Sequence, residues 1–141
     1  MRVALAEGIK KDVSHGYKHV YDLLEHAVRI APEKGTYYIR EDGSEEKVTY
    51  STQKKTALGI LASLQKKGVK KGDYLIADVS DTKNYHFLMW ACFYGGIIIT
   101  ALPRPDFSVK DSETVNGTKQ IWEMLGKPVF VTDDEMKNLY E

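Results

Sequence analysis

DYLIADVSDTKNYHFLMWACFYGGIIITALP, residues 73–103, sets a run of strand formers, a polar turn, an apolar helical stretch and a second apolar run end to end. The seven residues DYLIADV and the six residues IIITAL carry almost no polar interruption. Such continuity marks strands covered on both faces, as in parallel sheets. Between them, SDTKN reads as a turn and YHFLMWACFYGG as a helix, so the stretch is a strand–helix–strand unit. A connection of that length joins parallel strands through a right-handed crossover.

Working outward, the pattern repeats. After a polar loop, TKQIWEMLG predicts a helix and PVFVT a third apolar strand, and Asp133 is placed to cap a further helix in DDEMKNLYE. Upstream, Ala57, Leu58, Leu61, Ala62 and Leu64 share one face of a helix that Ser51 can cap and Gly68 can end in a left-handed conformation. The lysines at that end, Lys66, Lys67, Lys70 and Lys71, complement the negative helix terminus and read as solvated, because no aromatic or arginine is interleaved with them. TYYIREDGSEEKVTY predicts a hairpin turning at Asp42-Gly43. HVYDLLEHAVRIAPEKG predicts an amphipathic helix on Val20, Leu23, Leu24, Ala27, Ile30 and Ala31, stopped by Pro32. Residues 1–16 show no period and read as an arm or linker. The fold class expected is therefore α/β, a largely parallel sheet flanked by helices with an N-terminal helix and a hairpin, occupying residues 17–141.

Composition bounds the function. The 141 residues suit one domain, and 43% hydrophobic with 28% charged residues is an ordinary globular mix. Twenty basic residues balance twenty acidic ones, which leaves no chain-wide field to draw nucleic acid or an anionic membrane. No apolar stretch reaches the roughly 18 residues a bilayer span needs, and MRVALAEGIKKD lacks the apolar centre of a secretion signal. The single cysteine, Cys92, has no internal partner and sits where a small core residue is wanted, so a reducing, cytoplasmic setting is expected.

Few residues offer chemistry. VNGTKQ, 115–120, has the glycine, hydroxyl and lysine of a phosphate cradle, but a lone Gly117 fits a turn and helix cap better. His15 and His19 stand at helical spacing for a metal, yet Gly16 interrupts them, and His26 lies seven residues further on. His86, beside Tyr85 and Phe87, reads as a packed or surface histidine and not a general base, Cys92 as an inert core thiol, and Met89, Trp90, Phe93 and Tyr94 as a core cluster. The loop LPRPDFS, 102–108, lies where ligands gather in α/β sheets. Arg104 there could meet an anion, although Pro103 and Pro105 also suit any sharp exit from a strand.

The order of these landmarks resembles the opening part of the adenylate-forming superfamily. It is carried by YDLLEHAVRIAP (21–32), VTYS (48–51), ALGILASLQKKGVKKGD (57–73), FLMWACFYGGIIITALP (87–103) and LGKPVFVTD (125–133). EDGSEEKVTYS and IWEMLGKPVFVTD look most like acyl-activating domains of hybrid polyketide and nonribosomal peptide synthases and like fatty acyl-AMP ligases. Gly95-Gly96 stands where the family commonly has Ala-Gly, and Thr52-Gln53 where it often has Glu-Leu. The resemblance implies a parent enzyme that makes acyl-AMP from ATP and a carboxylic acid with magnesium, then hands the acyl group to a phosphopantetheine arm or coenzyme A. The family's phosphate loop and adenylation lysine are not in this sequence, so the resemblance implies an incomplete N-terminal subdomain, inactive alone, with no catalytic residue, metal or cofactor of its own. It implies the remaining subdomains as partners, an acyl carrier protein as a candidate partner, and Pro103 and Arg104 as residues bordering the parent's acyl pocket. The alternative is a non-catalytic interaction module on the same scaffold.

Overall fold

A computed structural model describes residues 16–102, 113–134 and 137. Nine elements follow in order: α1 (Tyr21–Ile30), β1 (Gly35–Ile39), β2 (Glu45–Thr49), α2 (Tyr50–Lys66), β3 (Tyr74–Asp78), α3 (Thr82–Gly95), β4 (Ile98–Ala101), α4 (Glu113–Met124) and β5 (Val129–Thr132). β3 is central in a three-stranded sheet of order β4-β3-β5, and both its neighbours run parallel to it. The chain steps from β3 to one side through α3, then returns past β3 to the other side through α4. Right-handed crossovers in opposite directions place α3 and α4 on opposite faces. α2 packs against α3.

Burial is concentrated on the central strand. Leu75, Ile76, Ala77 and Asp78 are all buried, and Leu75 and Ala77 make one core cluster with Leu64, Val69, Leu88, Cys92 and Ile97. The expectation that every apolar strand is covered on both faces fails for β4 and β5. Their residues are half-buried or exposed, and Ile98 is 45% exposed. Both are edge strands among the described residues, so each lacks the neighbour that shields β3.

The lysine-rich segment is a seam between α2 and β3. α2 ends at Lys66, Gly68 takes a φ of 91°, and the Val69 amide donates to Leu64 O at 3.1 Å while Val69 itself is buried. Lys66, Lys67, Lys70 and Lys71 all point to solvent.

Helix starts differ from expectation. α2 is capped by Thr49, not Ser51: it begins as the last residue of β2 ends, and the Thr52 amide donates to Thr49 Oγ1 at 3.1 Å. Its buried face is Gln53, Ala57 and Leu64, whereas Leu58 and Ala62 are exposed. α3 begins three residues before YHFLMW, at Thr82, because Asp81 accepts from the Asn84 amide at 2.8 Å and draws TKN into the helix. In α3 the buried positions are Phe87, Leu88, Ala91 and Cys92; Met89, Trp90, Phe93 and Tyr94 are only half-buried, so the aromatic cluster flanks the core instead of forming it.

α1 is held by a mixed set of contacts. Leu24 is its buried residue, Tyr21 stacks on Tyr94 at 5.3 Å, and Glu25 accepts from Tyr94 Oη at 2.8 Å and from Lys54 Nζ at 2.7 Å. Val20, Leu23 and Ile30 of the predicted apolar face remain exposed. The hairpin is as predicted, with Ile39 opposite Glu45 and Gly43 at a φ of 79°. The Arg40 amide donates to Ser44 O at 2.9 Å, so residues 41–43 form a three-residue loop closed by a left-handed glycine, a common hairpin connection. The arm expected at 1–16 lies outside the described residues except for Gly16.

Candidate functional site

The inner face of the hairpin carries Tyr38 and Glu46, which lie opposite each other in the β1–β2 register. This face meets the first turns of α3, which start just beyond the carboxyl end of β3. Between them is an open cavity of about 780 Å³, bordered by Tyr38, Arg40, Ser80, Asp81, Lys83 and His86 among others. Ligands in parallel sheets gather at this end of the strands.

Polar side chains cross the cavity. Arg40 Nη2 reaches Glu46 at 2.7 Å and Arg40 Nη1 reaches Asp81 at 3.4 Å; Lys83 Nζ donates to both oxygens of Glu46, at 2.8 and 3.0 Å. Tyr38 Oη and His86 Nδ1 are 3.0 Å apart. Hydrogen bonds from Lys83, then from Arg40, hold the Glu46 carboxyl below the usual range. Asp81 is likewise lowered, first by the Asn84 amide it caps, and burial pushes the Tyr38 phenol up. Arg40 is raised, chiefly by Glu46. Beside this cavity Asp133, at the end of β5, accepts from both the amide and the hydroxyl of Ser80. Asp133 stands at the start of the next helix, where the Lys137 amide donates to its carbonyl at 3.1 Å, and its carboxylate also ties the loop after β3 to the segment after β5.

Chemically this is a set of mutually satisfied charges. Each cation of the cleft faces a carboxylate, and both carboxylates are held ionised, so neither serves as a proton donor near neutrality. The segment 115–120 lies inside α4 and not in a loop; from Gly117 onward its amides belong to the helix, which removes both the phosphate cradle and the turn as readings. Neither this segment nor the paired charges of the cleft fit ATP and magnesium. Among the described residues no group of three or more His, Cys, Asp or Glu side chains is placed to hold a metal ion. His19 stacks on Tyr21 at 4.9 Å, and His26 Nδ1 faces Arg29 at 2.9 Å. Cys92 is fully buried, and desolvation pushes its thiol up to about 11, as an inert core cysteine requires. Pro103 and Arg104, with the loop that carries them, and His15 lie outside the described residues.

Sequence reading missed the partnership of Arg40, Glu46, Asp81 and Lys83. Asp81 alone left a signal, as an aspartate three residues before Asn84 at a helix start. Arg40 and Glu46 are six positions apart across the hairpin, but their pairs with Asp81 and Lys83 span about 40 positions, and no local period records that.

Comparison with known proteins defines the class. The fold is that of adenylation domains, as the resemblance anticipated. The structure of McyG A-PCP complexed with phenylalanyl-adenylate is 29% identical over 86% of this chain, with a TM-score of 0.78. The adenylation domain of a keto acid-selecting NRPS module bound to keto acyl adenylate is 25% identical over 91%, also at 0.78. A fatty acyl-adenylate ligase from L. pneumophila, in complex with acyl adenylate and pyrophosphate, shares the fold at 17% identity over 87% of the chain, with a TM-score of 0.72. The chain spans 22%, 24% and 21% of those three structures, so it corresponds to a part of such a domain. No family model matches it. No described helix is long and apolar enough to cross a membrane.

Proposed function

We propose that this chain is the N-terminal scaffold part of an acyl-activating ligase. The whole enzyme forms acyl-AMP from ATP and a carboxylic acid and passes the acyl group to a carrier-protein phosphopantetheine or to coenzyme A, in polyketide or nonribosomal peptide biosynthesis. The observation that carries this reading is the shared fold, at 25–29% identity over 86–91% of the chain, with two adenylation-domain structures. ATP and magnesium supply the phosphoryl chemistry in such an enzyme, and residues outside this chain hold them. Residues 17–141 contribute a supporting sheet, and Pro103 and Arg104 border the acyl pocket.

The test is to extend the chain into its downstream reading frame and measure acid-dependent exchange of pyrophosphate into ATP. Exchange in the extended protein, and none in the 141-residue chain, is expected. Calorimetry of the 141-residue chain with ATP and magnesium is expected to be silent; micromolar affinity would place a nucleotide site within it and overturn the assignment.

A second reading, a non-catalytic interaction module, is favoured by an apolar groove between α2 and β5. Ile60, Leu64, Val129, Phe130 and Val131 line it, with a volume of about 1240 Å³. A downstream frame without a Ser/Thr/Gly-rich loop and a distal lysine decides for the module.

A further inference from the structure

We infer that the β1–β2 hairpin is a strap over the carboxyl end of β3, hinged at its base and fastened at its tip by polar contacts that salt loosens. This is independent of the ligase reading, because it rests only on how the hairpin is attached.

The base is fixed by packing and backbone bonds. Val48 is 5% exposed, and Gly35 approaches β2 so closely that a Cβ there would fall on the Val48 carbonyl oxygen and come within 2.7 Å of the Thr49 Cα. The Tyr50 amide donates to Lys34 O at 2.7 Å and the Ser51 amide to Pro32 O at 3.3 Å, which locks both hairpin ends to the start of α2. Toward the tip, burial falls away among the described residues. Beyond Val48 the inner-face residues Tyr38 and Glu46 are half-buried, Arg40 is exposed, and residues 41–44 are all exposed. The hairpin forms a sheet of two strands that no third strand joins among the described residues. A two-stranded hairpin has little stability of its own, so its position depends on what holds it to the body.

At the tip, that is three polar links to α3 and its cap: Tyr38 to His86 at 3.0 Å, Arg40 to Asp81 at 3.4 Å, and Glu46 to Lys83 at 2.8 Å. The open 780 Å³ cavity borders these links, and beside it the Tyr38 and His86 rings meet at 5.7 Å. Apolar burial persists at any ionic strength, whereas exposed ion pairs are weak and screened. Two of the three links are ion pairs, so salt weakens the tip while the base stays shut. Lifting it uncovers Ser80, Lys83 and His86 at the mouth of the central strand, so the strap gates that mouth.

The test places spin labels at Glu41→Cys on the tip and Ala62→Cys on α2, both exposed positions in the 141-residue chain. Cys92, fully buried, stays unlabelled. Pulsed electron–electron resonance is recorded from low salt to about 1 M, over which the screening length falls to about 3 Å. A second, longer distance is expected, its population rising on the order of fivefold, what one exposed ion pair is worth. Lys83→Gln is expected to populate the same distance at low salt. A single distance unmoved both by salt and by Lys83→Gln overturns the strap; the salt series needs no change in the links themselves, so misfolding of a variant does not obscure it.

Discussion

Gln53 shows how one residue departs from its surroundings. It is 4% exposed on the core-facing side of α2, and its Nε2 has no hydrogen-bond partner among the described residues. It also stands where the adenylate-forming resemblance leads one to expect leucine. Burying an amide N–H without a partner costs about 1–3 kcal/mol. Gln53→Leu is therefore expected to raise stability by about 1 kcal/mol in urea unfolding with an unchanged slope; a loss of stability would show that the amide is satisfied within this chain. Cys92 is the reverse case, since its chemistry was legible from the sequence. A lone thiol in FLMWACFYGG has nothing to activate it, and the structure seals it among apolar neighbours.

At the level of elements, helix ends separate what short sequence decides from what position decides. Both Thr49 and Ser51 can cap α2 by residue type. Thr49 does so because β2 ends there with an extended φ of −69° and ψ of 156°, which aims its hydroxyl at the Thr52 amide. Thr49→Ala is expected to cost about 1 kcal/mol, and Ser51→Ala only a few tenths, in paired denaturation curves. α1 gives a prediction in pH. Lys54 holds the Glu25 carboxyl below its ordinary value, with a second bond from Tyr94. A carboxyl lowered on folding stabilises above its unfolded pKa of about 4.3, and the contribution disappears as pH falls through the folded value. The gap in melting temperature between the wild type and Lys54→Met is therefore expected to be widest near neutrality and to close below about pH 4.

For the whole molecule, the described surfaces are those of a part. β4 and β5 are edges, the groove between α2 and β5 is apolar, and Val20, Leu23 and Ile30 stand out from α1. The matched adenylation-domain structures are several times longer, and this chain spans 22–24% of them. That relation accounts for the strands that sequence reading took as covered on both faces. Their apolar character fits a larger sheet, while the described residues cover only β3.

The alternation of apolar runs and helical periods fixed the α/β class, the hairpin and the left-handed end at Gly68, because these depend on spacings within a few residues of one another. Which helix face is buried, which strand is central, and the meeting of Arg40, Glu46, Asp81 and Lys83 under the hairpin came only from the folded chain. Contacts between segments about 40 residues apart depend on how elements dock, and a linear pattern carries no record of docking.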